Sequence, residues 1–467
     1  MRCCFLVNSC GIHQEFARFA PGRRIGVGAW QALLLGIDRK SRFLQPTWCC
    51  AWRMNCYFTG YGPDCTTRLG EGLANDATMS AHPSTGFIFP VLSLLIWSLA
   101  CPVGGAAENA APEAQYSNVR RPEIPWSINV VRIPRANTAY QIQSVHADQS
   151  AVGLDTLSSQ ASGIDPRLGK PIAAINGDFY QRGGTYGGDP RGIQITGGEI
   201  ISAPSGGASF WIDASGSPHV TNVVSLFQIT WPDGKTSPFD LNGDRGWTEI
   251  EVYTPALGTS THTSGGIDLV LESQEGSPWL PLQAGKTYKA RVREARPGGS
   301  RIYPGALIVS IPARSPRSRM RFERGMEITI STATEPSLRG SRTAIGGGPI
   351  LVLNGKSQRV SASYDDAYES SSMTERHPRS AVGWNDDFYF LVQVDGRQRS
   401  FSVGMTLKEL AAYMVSLGCR EAMTLDGGGS ATLWYEGFVR NRPCDGHERM
   451  IANSLVVIKK PAAPDKR

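Results

Sequence analysis

Residues 424–432 (TLDGGGSAT) place a carboxylate, three glycines and a hydroxyl between two apolar segments. The flanking residues 421–425 and 431–435 predict strands, so Asp426 would end the first strand and the glycines would form the turn. Glycine lets the backbone approach a ligand closely and point several N–H groups at an anion. The run therefore predicts a ligand-binding loop, and the alternative is a glycine-rich hairpin with a capping aspartate.

Five further segments stand in a fixed order ahead of this loop. They are residues 173–180 (AAINGDFY), 346–356 (GGGPILVLNGK), 377–383 (HPRSAVG), 395–397 (DGR) and 404–411 (GMTLKELA). The ordered series resembles the phosphodiester glycosidase family over roughly residues 125–460. The resemblance implies hydrolysis of a sugar whose anomeric oxygen is linked to a phosphodiester, with release of the free sugar and retention of the phosphate on the acceptor.

The length and net charge of the chain limit its possible domain number and binding partners. The chain has 467 residues, 41% of them hydrophobic, which is enough for a large core and for two or three domains. Residues 1–78 contain nine Lys or Arg and five Asp or Glu, so they hold +4 of the net charge of +6. The nearly neutral remainder argues against a nucleic-acid partner, which would need a basic face.

The first part of the chain is set apart by its cysteines. Seven of the ten lie within the first 65 residues, without a Cys-x-x-Cys pair and without sustained periodicity. We interpret residues 1–78 as a start-site artefact or an unstructured extension, with Met79 as the initiator. The alternative is a small zinc or disulfide module.

Residues 87–100 are apolar, too short to span a bilayer comfortably, and followed by small residues. This pattern predicts a signal peptide over residues 79–107, and hence a periplasmic or secreted protein; a retained anchor helix is the alternative. The sequence before Cys101 also resembles a lipoprotein cleavage box, so a lipid anchor at Cys101 stays open. In an exported protein, Cys419 and Cys444 could form a disulfide.

The body of the chain reads as an α+β fold with β-rich mixed sheets and few helices. Residues 108–125 are expected to be a polar linker, and residues 126–467 the phosphodiester glycosidase-like domain. Short alternating runs between turns predict an inserted β-rich subdomain at about 222–335. Strands are expected in five segments before it: residues 127–133, 139–145, 171–176, 191–201 and 208–212.

Two helices are expected. The clearer covers residues 406–417, with Thr406 as N-cap, Glu409 three residues later and Gly418 after the end. Its apolar stripe predicts a core contact. A second helix is expected over residues 154–162.

Two strand-end carboxylates could share one cleft. Asn176-Gly177-Asp178 follows an apolar run, as Asp426 does, so Asp178 and Asp426 form a candidate pair for glycoside chemistry. The alternative for the first motif is a tight turn. The family often has glycine where this chain has Asp178, so Asp178 is a departure and Asp426 the stronger catalytic candidate.

The resemblance assigns further residues to substrate. Arg379 corresponds to an arginine that precedes a strand in the family and would grip a phosphate with two parallel hydrogen bonds. Asn176 and the amides of Gly427, Gly428, Gly429 and Ser430 would position sugar and phosphate.

Two residues have open roles. His377 could be a general acid or a loop residue. Arg245 could supply a second positive charge to the substrate, or it could pair structurally with Glu249.

Several other chemistries lack support. Ser430 lacks the final glycine of a nucleophile elbow, and residues 346–348 lack the Lys-Ser/Thr of a phosphate-binding P-loop. Residues 385–387 (NDD) predict a hairpin turn, not a metal site. No metal or cofactor is required by the expected chemistry, although a divalent ion such as calcium could be bound.

The sequence therefore favours an exported hydrolase of the phosphodiester glycosidase type, acting on a phosphoglycan or other sugar phosphodiester of an envelope or extracellular glycan. The alternative is a non-catalytic glycan-binding or exopolysaccharide-assembly protein that uses the same pocket. A metal-dependent phosphodiesterase is a third class, but it would need more convergent carboxylates or histidines than the sequence offers.

Overall fold

The computed structural model describes residues 112–274, 279–360 and 370–461, apart from the side chains of Gln149, Ser370 and Ser371. The interpretations of residues 1–78, of the signal peptide and of a lipid anchor at Cys101 lie outside these ranges. None of the helices within them has the length and hydropathy of a membrane span.

The described ranges contain 23 strands and three α-helices, which confirms the β-rich α+β class. The helices are α1 (Leu157–Ser162), α2 (Ser370–Thr374) and α3 (Leu407–Ser416). The strands are β1 (Gln115–Arg121), β2 (Trp126–Pro134), β3 (Tyr140–His146), β4 (Lys170–Asn176), β5 (Gln194–Thr196), β6 (Glu199–Ser202), β7 (Ser205–Ile212), β8 (Pro218–Thr230), β9 (Thr236–Leu241), β10 (Ile250–Tyr253), β11 (Ile267–Ser273), β12 (Thr287–Pro297), β13 (Leu307–Ile311), β14 (Glu327–Glu335), β15 (Thr343–Gly346), β16 (Ile350–Leu353), β17 (Lys356–Ser357), β18 (Arg379–Trp384), β19 (Phe388–Val394), β20 (Glu421–Thr424), β21 (Leu433–Tyr435), β22 (Phe438–Val439) and β23 (Asn453–Lys459).

Two of the sheets pack face to face. The seven-stranded sheet has the order β1-β2-β19-β18-β20-β16-β17, and the five-stranded sheet has the order β22-β21-β4-β23-β3. Alternate residues of β2 point to opposite sides, so Val131 and Ile133 enter the core between the sheets while Ile128 and Val130 face α3. The five-stranded sheet covers its outer face with α1. The result is a layered α–β–β–α sandwich.

The third sheet contains a closed barrel. Its strand order is β14-β12-β11-β13-β10-β9-β8-β7-β15-β5-β6, and β14 also pairs with β8, so strands β8–β14 close on themselves. Only β9 and β10 run parallel among the barrel pairs. The barrel corresponds to the insertion expected at about 222–335, but it shares a continuous sheet with β7 and β15, whose residues Phe210 and Ile345 enter the core of the sandwich.

Two local expectations need correction, and a third is confirmed. The linker predicted for residues 108–125 contains strand β1, which pairs along its whole length with β2. The strand predicted for residues 191–201 is a hairpin of β5 and β6, because Gly197 and Gly198 both adopt positive φ and turn the chain. The turn predicted at residues 385–387 is confirmed between β18 and β19.

Helix α3 begins and ends close to the expected residues. The Thr406 hydroxyl accepts a 3.1 Å bond from the Glu409 amide, and the Glu409 carboxylate accepts a 2.9 Å bond from the Thr406 amide. Gly418 follows the C-terminal end at φ +81°. The buried stripe of Leu407, Leu410, Ala411 and Met414 packs on the seven-stranded sheet, so it is core, as expected.

We expect Thr406→Ala to lower the free energy of unfolding by about 1 kcal/mol, because it removes the acceptor for the first-turn amide. Thr406→Ser keeps that hydroxyl and is the matched control. Urea unfolding of both variants checks the prediction; equal stability of the alanine variant and the wild type would contradict it.

Candidate active site

A buried asparagine ties the ends of three strands together. Asn176, the last residue of β4, donates a 2.7 Å bond from Nδ2 to the carbonyl of Asp426, which follows β20. Its Oδ1 accepts a 2.6 Å bond from Ser380 Oγ in β18. The Asp426 amide in turn donates to the Gly177 carbonyl at 2.9 Å. Since Asn176 is fully buried and both ends of its side chain bond within the protein, its task is to position the loop and not the predicted contact with substrate.

The glycine loop joins the two sheets of the sandwich. Strand β20 lies in the seven-stranded sheet and β21 in the five-stranded sheet, so the loop crosses between layers and the hairpin alternative is wrong. Residues Gly428–Ser430 form a 3₁₀ turn, with Gly428 at φ +60°.

The amides of this loop are used differently from the expectation. Gly427 donates to Asp426 Oδ1 at 2.8 Å, and Gly428 donates to the Pro378 carbonyl at 2.9 Å. Ser430 donates to the Gly427 carbonyl at 3.2 Å. Within the described part of the chain, the Gly429 amide alone among the four has no hydrogen-bond acceptor, so one N–H and not four remains for an anion.

Asp178 is a buried carboxyl surrounded by backbone. Its two oxygens accept 2.7 Å bonds from the amides of Phe179 and Gly192. Gly346 packs so closely that a Cβ there would lie 2.5 Å from Asp178 Oδ2. Burial raises the pKa of Asp178 to about 7, reinforced by the charge of Asp426 and opposed by the two amides and Arg191.

Asp426 is the second buried carboxyl, and its charge contributes to the raised pKa of Asp178. Burial raises the pKa of Asp426, whereas the Ser430 hydroxyl, the Gly427 amide and the charges of Arg182 and Arg449 oppose that rise. Ser430 Oγ is itself buried and makes no well-aligned hydrogen bond. Because the charge of Asp426 raises the pKa of Asp178, the two groups titrate as a coupled pair.

Arg379 lies at the site, but two of its three guanidinium nitrogens donate hydrogen bonds to backbone carbonyls. Its Nε donates to the Met405 carbonyl at 2.8 Å, and Nη2 donates to the carbonyls of Ser372 and Glu375 at 2.6 and 2.8 Å. Burial, together with the charge of Arg397, lowers the pKa of Arg379 to about 10. These bonds organise the segment before β18, so the predicted two-armed grip on phosphate would leave only Nη1 for the ligand.

Arg397 is a site residue that sequence reasoning did not single out. Its guanidinium lies against the glycine loop, where a Cβ on Gly428 would meet Arg397 Nη2 at 3.1 Å. Its backbone has φ +60°, a strained conformation for a non-glycine residue. In the sequence, Arg397 stands out only as part of the motif of residues 395–397, and no neighbouring residue indicates where its side chain points.

His377 contacts this arginine. Arg397 Nε and Nη2 each lie 3.4 Å from His377 Nδ1, and His377 Nε2 lies 3.6 Å from a carboxylate oxygen of Glu375. Burial lowers the pKa of His377, followed by the charges of Arg379 and Arg397, while Glu375 raises it. A neutral imidazole at neutral pH follows, which keeps both roles considered for His377 open.

Arg449 was also missed, because it stands in a polar loop without strand or helix periodicity. Its Nη2 and Nε donate to Asp445 Oδ2 at 2.6 and 3.1 Å. The pair presses on the loop so closely that a Cβ on Gly429 would meet Arg449 Nη2 at 2.0 Å. Asp445 thus orients a guanidinium beside the loop amide that has no acceptor.

One residue expected at the site, Arg245, is placed elsewhere. Arg245 lies at the barrel, where Nη1 donates to Ser310 Oγ at 2.8 Å and sits 4.0 Å from Asp268. It pairs with neither Glu249 nor, among the described residues, either carboxyl of the site, so its assignment to substrate loses its structural support.

The disulfide proposed between Cys419 and Cys444 is absent, since both are free thiols. Cys419 packs in the core beneath α3, whereas Cys444 lies beside Asp445 and Arg397. No cluster of three or more His, Cys, Asp or Glu that could hold a metal occurs in the ranges the structure describes.

Comparison with known proteins identifies part of the chain. Residues 282–458 match the sequence profile of the phosphodiester glycosidase family. The resemblance is confirmed over this segment. The match begins five residues before strand β12 of the barrel and includes the glycine loop, Arg379, Arg397 and Arg449.

One relative of known sequence is the SPbeta prophage-derived uncharacterized protein YomE of Bacillus subtilis (strain 168). It is 31% identical over 120 residues, which are 26% of this chain and 18% of that protein. The chain thus spans less than a fifth of that relative's length.

Solved structures show the same fold. A hypothetical protein from Synechocystis superposes with a TM-score of 0.59 at 21% identity, covering 74% of this chain and 61% of that one. A protein from Burkholderia pseudomallei K96243, named as a candidate exported protein, superposes with a TM-score of 0.56 at 19% identity over 71% and 74% of the two chains.

We expect the stability of Asp178→Asn, relative to the wild type, to rise by on the order of 2 kcal/mol between pH 5 and pH 8. The folded protein keeps the Asp178 proton up to about pH 7, but the unfolded chain releases it near 3.8, so this group makes the wild type less stable as pH rises between those values. The asparagine does not titrate and escapes that loss. Denaturant unfolding at several pH values measures the difference.

Asp165→Asn is the matched control. Asp165 is exposed and the adjacent Arg167 lowers its pKa, so it is ionised in both states throughout this pH range. Its variant should differ from the wild type by a constant amount. A constant difference for Asp178→Asn as well would contradict a raised pKa.

Proposed function

We propose that the protein is an exported phosphodiester glycosidase that hydrolyses a sugar 1-phosphodiester of an envelope or extracellular glycan. The observation that carries the proposal is the coupled pair of buried carboxyls, Asp178 and Asp426, beside a glycine loop lined with arginines. The family match over residues 282–458 supports the reaction class, and one structural neighbour named as a candidate exported protein supports export.

The two carboxyls suit glycoside hydrolysis because that reaction uses one carboxyl as acid and a second as nucleophile or base. Asp178 holds a proton at neutral pH and can give it to the phosphate oxygen as the anomeric carbon–oxygen bond breaks. Asp426 can act, in its ionised form, as nucleophile or activate water at the anomeric carbon; the charges of Arg182 and Arg449 favour that form, against the effect of burial. The free sugar then leaves, and the phosphate stays on its acceptor as a monoester.

The anion would bind at the glycine loop. The Gly429 amide lacks an acceptor among the described residues, Arg449 is oriented beside it by Asp445, and Arg397 covers Gly428. One amide and two guanidiniums match the two non-bridging oxygens of a phosphodiester, and charge-assisted bonds of this kind are the strong ones.

The decisive experiment incubates the protein with a panel of sugar 1-phosphodiesters and measures free sugar. We expect sugar release, and we expect Asp426→Asn to lower kcat/KM by roughly 10²-fold or more because it removes the group that acts on the anomeric carbon. Asp165→Asn, which alters a carboxylate paired with Arg167 and outside the site, is the control and should keep its activity.

Two results would overturn the proposal. Near-full activity of Asp426→Asn would remove the assigned mechanism. Tight binding of the panel without any sugar release, by protein of native stability, would instead support the non-catalytic glycan-binding alternative.

We expect Arg397→Gly to separate stability from function. Glycine adopts φ +60° without strain, so the variant should unfold at the same temperature as the wild type or higher. Loss of one charge-assisted contact should lower kcat/KM by about 10- to 100-fold. Glu436→Gly is the control, because Glu436 also has positive φ but lies on the β21–β22 turn, and it should gain stability without losing activity.

A further inference from the structure

One open side of the sandwich carries exposed arginines stacked on aromatic rings. At the first point, Arg120 lies 4.1 Å above the Phe401 ring and Arg442 lies 5.3 Å from the same ring. At the second point, Arg440 lies between 5.3 and 5.5 Å from the rings of Tyr116, Tyr435 and Phe438. We call the set Tyr116, Arg120, Phe401, Phe438, Arg440 and Arg442 the aromatic–arginine face.

The two points lie along one strand. Tyr116, Asn118 and Arg120 alternate on β1 and pair with Val131, Asn129 and Ser127, so all three project from the same side of the sheet. Four residues of extended strand separate Tyr116 from Arg120 by about 13 Å. The face therefore has the length of a chain ligand and exceeds that of a single sugar.

This face is continuous with the proposed catalytic site. Gln398, directly after Arg397, donates a 3.0 Å bond from its side chain to the Arg442 carbonyl. The Arg442 amide donates to Asp395 Oδ1 at 2.8 Å, and Asp395 is two residues before Arg397. The segment that carries Arg397, which covers the glycine loop, is thus fixed to the backbone of Arg442 in the aromatic–arginine face.

The charge of the face is not neutralised by neighbours. Arg120, Arg440 and Arg442 form no ion pair with a carboxylate in the described ranges. Asp395 is buried below the face, and Glu436 is exposed at its rim. Phe438 is 65% exposed, which is unusual for a large apolar side chain that only fills space.

We propose that the aromatic–arginine face binds the anionic polysaccharide chain that carries the scissile sugar phosphodiester. The inference rests on the proposed function and makes the substrate a polymer. Aromatic rings stack on sugar rings, and the guanidiniums pair with phosphates of the chain. A single-stranded nucleic acid shares part of this chemistry, but continuity with a glycoside-cleaving site favours the glycan.

The test compares two substrates for the full protein: a methyl glycosyl phosphate, which fills only the catalytic site, and a poly(glycosyl phosphate), which also reaches β1. The variant is the double substitution Arg120→Ala and Phe438→Ala. The matched control is Arg319→Ala and Trp247→Ala, which removes one exposed arginine and one aromatic residue, 61% exposed, from loops of the barrel. Thermal unfolding verifies that both proteins are folded.

We expect the ratio of kcat/KM for the polymer to kcat/KM for the small substrate to fall about tenfold in the first variant. The control should keep the wild-type ratio. An unchanged ratio in the first variant would overturn the inference while leaving the proposed function intact.

Failure of the proposed function has a different signature. If the wild type releases sugar from neither substrate, that function is wrong, and equilibrium dialysis of the polymer against the same two variants tests the face alone. Weaker binding by the first variant only would support the face. Equal binding by both, or binding of poly(dT) as tight as that of the polymer, would overturn it.

Discussion

The site depends on one buried side chain, Asn176. Its amide holds the Asp426 carbonyl in one sheet, and its oxygen accepts from Ser380 and from the Thr432 amide at 3.1 Å. A buried amide that has lost these partners would carry an unsatisfied polar group, which costs more than the bonds themselves contribute. The interaction fixes the place where the chain crosses between the sheets, and with it the position of Asp426 relative to the end of β4.

Burial then sets the chemistry of the pair. Burial raises the pKa of both carboxyls because it excludes water. At Asp178, Gly346 lets the backbone pack directly against the carboxyl. Any side chain at Gly346 would collide with the Asp178 carboxyl. The charges of Arg182 and Arg449 lower the pKa of Asp426 and so oppose the effect of burial.

The arginines around the site differ in role: some hold the backbone in place, and others point at the glycine loop. Arg379 bonds to three backbone carbonyls and organises the chain ahead of β18, so it acts chiefly on structure. Arg397 keeps a strained backbone and directs its charge at the glycine loop. Strain that persists in a folded protein is maintained by its surroundings, which is consistent with a binding role.

The sequence by itself determined the local secondary structure and, at the site, the two candidate carboxylates. Alternation and turn chemistry predicted six of the strands, β2, β3, β4, β7, β20 and β21, and the capping box predicted α3. Strand-end patterns made Asp178 and Asp426 a candidate pair, and both carboxyls are buried in the structure. Only the tertiary structure decided which arginines reach them. The direction of Arg397 depends on its backbone torsion, and that of Arg449 on its bond to Asp445. Arg245 had the right charge and a plausible motif, yet the barrel strands draw it to Ser310 and Asp268, because the position of a long polar side chain is set by partners that are distant in sequence.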